Sequence, residues 1–91
     1  MADKRVERAK EETRIFLAEN NIQPQAMMRF GEMADATIKD KALYPMFREQ
    51  FIKTGMADET DIPVKYNYTI LVTISTMGKL AGQLAQAKIG V

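Results

Sequence analysis

Three prolines, Pro24, Pro45 and Pro63, set the strongest constraint on what this chain can become. Proline lacks an amide hydrogen and clashes with the preceding turn, so it opens helices and does not continue them. The 91 residues are thereby cut into four segments of helical or strand length. One short chain of this kind holds a single small domain, residues 1–91, with one modest core.

The first three segments read as helices. Between Asp3 and Glu19, residues Val6, Ala9, Thr13, Phe16 and Leu17 recur at spacings of three and four, an apolar stripe with Asp3 as N-cap. Arg8 with Glu12, and Lys10 with Arg14, lie at i,i+4 on the charged side. Asn20 or Asn21 can take the left-handed conformation that ends this helix. The second helix starts at Pro24 and carries Met27, Phe30, Ala34 and Ile38, with Met33 beside them, as far as Ile38 or Lys41. Gly31 weakens it by about 1 kcal/mol relative to alanine. The third starts at Pro45, presents Met46, Phe47, Phe51 and Ile52, and stops at Gly55. Residues 55–62, with Asp58, Glu59 and Asp61, read as an acidic linker.

The fourth segment, opening with VKYNYTILVTIST, is ambiguous. With period two, Tyr66, Tyr68, Ile70, Val72 and Ile74 form one face of a strand at 65–75. Nothing else in the chain alternates, so such a strand would find its hydrogen-bond partner only across a dimer, with Tyr66, Tyr68, Ile70 and Val72 as the interface. With period 3.6 the same residues begin a long helix over 63–88, capped by Thr60 or Asp61, with Ile70, Ile74, Met77, Ala81 and Leu84 in one stripe and Leu71 widening it. A helix satisfies its own backbone. The expected fold is therefore all-α: a small bundle of about four helices with a long C-terminal helix. The α+β dimer is the alternative.

The side-chain inventory is most informative in what it lacks. The chain has no histidine and no cysteine, which removes the usual general base, the usual nucleophile pairs, disulfides and thiolate metal sites. Ser75 is the only serine and reads as a hydroxyl bonded to a backbone carbonyl. Glu32 and Asp35 share a helix face but read as solvated charges. No phosphate-binding glycine loop and no calcium loop is present. No enzyme, cofactor or metal is expected. The charged N-terminus is not a signal peptide, and the apolar C-terminal segment, broken by Lys79 and two glycines, is too short and polar to span a membrane. A cytoplasmic location is expected, and the chain, starting at Met1, reads as a free-standing protein. Small charge-balanced helical chains are frequent in phages and mobile elements, so a phage-encoded origin, in host cell or virion, is the matching expectation.

Two features suggest a partner. Gly78, Ala81, Gly82 and Ala85 lie on one helix face, where small residues let another backbone approach closely, either the first helix of this chain or another subunit. The chain is also rich in methionine, and adjacent Met27 and Met28 cannot both face one core, so Met28 with Phe30 is a candidate exposed patch. The expected function is a protein-protein interaction or assembly module, self-associating as a homo-oligomer or docking on a larger protein through its C-terminal element. Its interface would hold Ile70, Ile74, Met77, Gly78, Ala81, Gly82, Ala85, Met28 and Phe30. The alternative is a small nucleic-acid-binding protein that uses a helical hairpin and Arg29, Lys39, Lys41, Arg48 and Lys53.

Overall fold

The computed structural model describes residues 4–89, with side chains described to residue 85. It contains α1 (Lys4–Glu19), α2 (Pro24–Lys39), a single 3-10 turn (Lys41–Leu43), α3 (Tyr44–Lys53) and α4 (Tyr68–Ile89). There is no strand among the described residues, and the run at 65–75 is helical from Tyr68 onward. No described helix is long and apolar enough to cross a membrane. The expected cap Asp3 lies outside the described residues.

Helices α2 and α4 form the spine. Gly82 sits over Met28, Gly78 over Gly31, and Ser75 against Asp35, so residue numbers rise on one helix as they fall on the other. The two helices are therefore antiparallel. The α4 residues turned toward the core are Leu71, Ile74, Gly78, Ala81 and Ala85, a three-four-three-four spacing typical of a two-helix seam. From α2 come Met27, Gly31, Ala34 and Thr37. Their meeting point is tight: a Cβ built on Gly78 would lie 2.7 Å from the Gly31 Cα, and one on Gly31 would lie 2.9 Å from the Gly78 Cα. Only two glycines allow this approach, so the helix-weakening Gly31 is a packing requirement.

Helix α3 closes the other side of α2. Phe51 stacks on Phe47, with ring centroids 5.8 Å apart, and meets Phe30 edge-on at 5.4 Å. Phe47 and Phe51 are buried, whereas Met46, expected on the same face, is 55% exposed. Pro45 stands in the first turn of α3, which begins one residue earlier than expected, after the 3-10 turn. The Asp40 carboxylate starts that turn by accepting the Ala42 amide at 3.1 Å.

Residues 55–62 are more than a solvated linker. Ile62 is buried in the core, and Met56 and Ala57 pack against it. Arg48 Nε donates to the Ile62 carbonyl and its Nη2 to the Glu59 carbonyl, both at 3.0 Å. The Tyr44 hydroxyl donates to the Pro63 carbonyl at 2.8 Å. These bonds hold the chain across α3 and delay α4. The helix begins at Tyr68, five residues later than expected, and neither Thr60 nor Asp61 caps it. The cap is Asn67, whose Oδ1 accepts the Ile70 amide at 3.0 Å in the N-cap to N3 pattern. Two turn residues match their sequence reading, Asn21 (φ 54°) after α1 and Gly55 (φ 82°) after α3.

Helix α1 rests on α4. Only Thr13 and Leu17 of its stripe are buried; Phe16 is half-buried and Val6 is exposed. The stripe is thus rotated toward Leu17, and a strip of apolar side chain along α1 is left uncovered.

Candidate functional site

Helix α4 presents different surfaces on its two sides, and two clefts follow from this. The first lies on the α2/α4 side, about 250 Å³ in volume, lined by Met28, Glu32, Asp35, Ser75, Lys79 and Gln83 over the glycine crossing. Ser75 Oγ donates to Asp35 Oδ1 at 2.6 Å, and Ser75 is buried. The hydroxyl therefore bonds a carboxylate on the neighbouring helix, where a backbone carbonyl was expected, and Asp35 is a helix-to-helix tie as well as a surface charge. Held this way the serine is a latch. No group of three His, Cys, Asp or Glu side chains able to hold a metal ion occurs among the described residues.

The second cleft is a groove between α1 and α4, about 520 Å³ in volume. It is lined by Ala9, Glu12, Thr13 and Phe16 from α1 and by Val72, Thr73, Thr76, Met77 and Leu80 from α4. Glu12 is its one charged lining residue. Its α4 wall carries no charge at all, because Lys79 points to the other cleft. Val72 is 37% exposed on this wall. The groove exists because α1 meets α4 mainly through Thr13, Phe16 and Leu17, leaving the second apolar row of α4 only partly covered.

The sequence-expected interface residues divide between these surfaces. Ile74, Ala81 and Ala85 are buried, and Gly78 is closed against Gly31. The small-residue seam is thus occupied inside the chain, by α2, where α1 or another subunit was expected. Ile70 is half-buried and packs on the core. Phe30 is held edge-on by Phe51, and Met28 lies over Gly82, where its Cε would sit 3.4 Å from an added Cβ. Met77 alone of the nine lines the open groove. Thr76 and Leu80, with Phe16 of α1, were in neither expected interface, and Val72 was only in that of the strand alternative. The signal for them was present: α4 is apolar on more than one side, and one partner helix cannot cover it.

The five basic residues of the alternative reading do not form a common free face. Arg48 is bonded to the linker carbonyls, Lys53 pairs with Glu49 at 3.3 Å, and the Lys41 ammonium sits 5.2 Å above the Tyr66 ring. Arg29 and Lys39 remain exposed on α2.

On α1 the charges also differ from the i,i+4 expectation. Two pairs on the helix are Glu7 with Lys10 at 3.7 Å and Glu11 with Arg14, both i,i+3. The hydrogen bond from Arg14 lowers the Glu11 pKa below its ordinary value. Among the described residues, Arg8 and Glu12 form no ion pair.

No family model matches the chain, and no curated protein or solved structure is significantly similar to it.

Proposed function

We propose that this chain is a non-enzymatic protein-protein interaction module whose contact surface is the groove between α1 and α4. One observation carries the reading: an apolar, nearly uncharged trough about 520 Å³ in volume runs between two helices, walled by Phe16, Val72, Met77 and Leu80. Exposed apolar surface of this shape costs solvation free energy until it is covered, and a trough between helices suits an amphipathic helix with anchors at helical spacing. The lack of histidine and cysteine, and a lone serine buried against a carboxylate, favour binding over catalysis. The C-terminal element is still the docking element of this proposal, through its Val72–Leu80 row.

A benzophenone amino acid in place of Thr76, on the groove wall, tests the proposal in living cells. Irradiation is expected to give a protein cross-link at position 76 and none when the same group replaces exposed Gln50 on α3. Absence of any protein adduct at position 76 sinks the proposal.

A further inference from the structure

We infer that the occupant of the α1/α4 groove is a second copy of this chain, packed about a two-fold axis that crosses α1 between Arg8 and Glu12. The inference rests on the groove being a protein-binding surface and adds the identity of the partner.

The charges along α1 support it. Two opposite-charge i,i+3 pairs of the helix are closed, Glu7 with Lys10 and Glu11 with Arg14, and they engage neither Arg8 nor Glu12. Arg8 and Glu12 stand one turn apart, both exposed, and Glu12 lines the groove. They do not bond each other, consistent with the weaker order in which the base precedes the acid. A two-fold axis midway between them runs a second α1 antiparallel to the first. Arg8 of each copy then faces Glu12 of the other, giving two reciprocal pairs from one contact.

The α4 wall satisfies the same symmetry. A surface that meets its own copy must not oppose like charges, and this wall offers only Val72, Thr73, Thr76, Met77 and Leu80. No acidic side chain occurs after Asp61, and Lys79 is turned to the opposite cleft. Two copies would place α1, α4 and their counterparts as four helices around one apolar centre, with Phe16, Val72 and Leu80 as anchors and the Arg8–Glu12 pairs at the edge. The exposed charges set register and orientation; the apolar rows supply most of the affinity.

The test is the light-scattering mass of the purified full chain across micromolar concentrations, with helix content followed by circular dichroism. Wild type is expected to reach twice 10.3 kDa. Arg8→Glu and Glu12→Arg, each on the exposed edge, should keep the helix signal and weaken the dimer by about tenfold by setting like charges face to face. The double variant Arg8→Glu/Glu12→Arg restores the pairing with sides exchanged and should recover the wild-type constant. Leu80→Asp should give a folded monomer.

A wild-type monomer at high micromolar concentration overturns the inference. So does a dimer indifferent to all four changes, or a double variant no tighter than the singles. The cross-link at position 76 separates the two ideas. An adduct with only a different protein leaves the groove as a binding site and removes the second copy from it. No adduct at all removes both.

Discussion

The two long sides of α4 are built from the same helix and behave differently. Toward α2, the row Leu71, Ile74, Gly78, Ala81 and Ala85 is sealed: the backbones touch at a glycine pair and Ser75 ties across to Asp35. Toward α1, the row Val72, Thr76 and Leu80 is left ajar, with a groove where a second seam would be. The sealed side combines small residues at the crossing with large ones above and below it, so backbones approach and side chains interlock. The open side has threonines at its centre and a helix partner that turns Thr13 and Leu17 to it while Val6 remains in solvent. A helix can thus be core on one side and available on the other; residue size at the crossing, and not hydrophobicity alone, separates the two.

The largest perturbation is one that breaks α4 itself. Ile74→Pro removes a hydrogen bond from the helix centre and clashes with the Ile70 carbonyl, at a cost of about 3 kcal/mol or more. For a domain this small that is expected to abolish cooperative folding, seen as collapse of the far-ultraviolet helix signal in dilute protein. A retained helix signal would mean that α4 does not carry the fold.

Next come the glycines, which grade the two sides directly. In Gly78→Ala the new Cβ falls 2.7 Å from a backbone atom, which cannot yield by a rotamer change. Overpacking of about 1–3 kcal/mol is offset by about 1 kcal/mol of better helix propensity, leaving a net loss. In Gly82→Ala the nearest atom is the flexible end of Met28 at 3.4 Å, so the propensity gain should dominate and the melting temperature hold or rise. Thermal melts of the two variants decide the matter; equal effects would show that the Gly31–Gly78 approach does not limit packing.

The same glycines explain how much could be read from the sequence. The helical bundle was legible because prolines and apolar spacing mark three helices, and because an unpartnered strand had no neighbour. The phase of α4 was not. Ile70, Met77 and Leu84 outweigh Gly78 in any hydrophobic pattern, since glycine adds no side chain to it, so the expected stripe was turned from the buried one. Gly31 looked like a weakness because its counterpart lies forty-seven positions away, and Asp35 and Ser75 are forty positions apart. The start of α4 was displaced for a related reason: Arg48 and Tyr44 capture the carbonyls of Ile62 and Pro63, and local cap signals at Thr60 and Asp61 do not register that pull. The open groove was missed because it reflects what α1 fails to cover, a property of two helices together.

A smaller effect is expected at the tie across the sealed side. Ser75→Ala removes the hydroxyl bonded to Asp35 at 2.6 Å, and a hydrogen bond to a charged acceptor contributes about 1.5–3 kcal/mol where it is buried. Asp35 is half-exposed and can recover water, so the loss should fall near or below about 1.5 kcal/mol. Denaturant melts measure it, and Asp35→Asn, which keeps an acceptor, should cost less. If Ser75→Ala were neutral, shape alone would hold the α2/α4 seam.

The smallest effect is one that changes with pH, where Tyr44 lies buried against the linker and Tyr66. Burial raises the Tyr44 pKa above its ordinary value, partly countered by the nearby Arg48 charge. The sign follows from linkage. In the unfolded chain the phenol ionises at its ordinary pKa, while in the folded chain it stays neutral to higher pH. Ionisation therefore draws the protein toward the unfolded state. The stability held by the neutral phenol is complete below the unfolded pKa and is lost as pH rises from there through the folded value. Tyr44→Phe removes both the bond to the Pro63 carbonyl and this titration. It should lower stability by about 1 kcal/mol at neutral pH, the usual worth of one hydrogen bond. Above about pH 10, the ordinary tyrosine value, the gap between wild type and variant should narrow. Melts of the two proteins at neutral pH and in alkali test this; a gap that stays constant would place the Tyr44 phenol in solvent rather than against the linker.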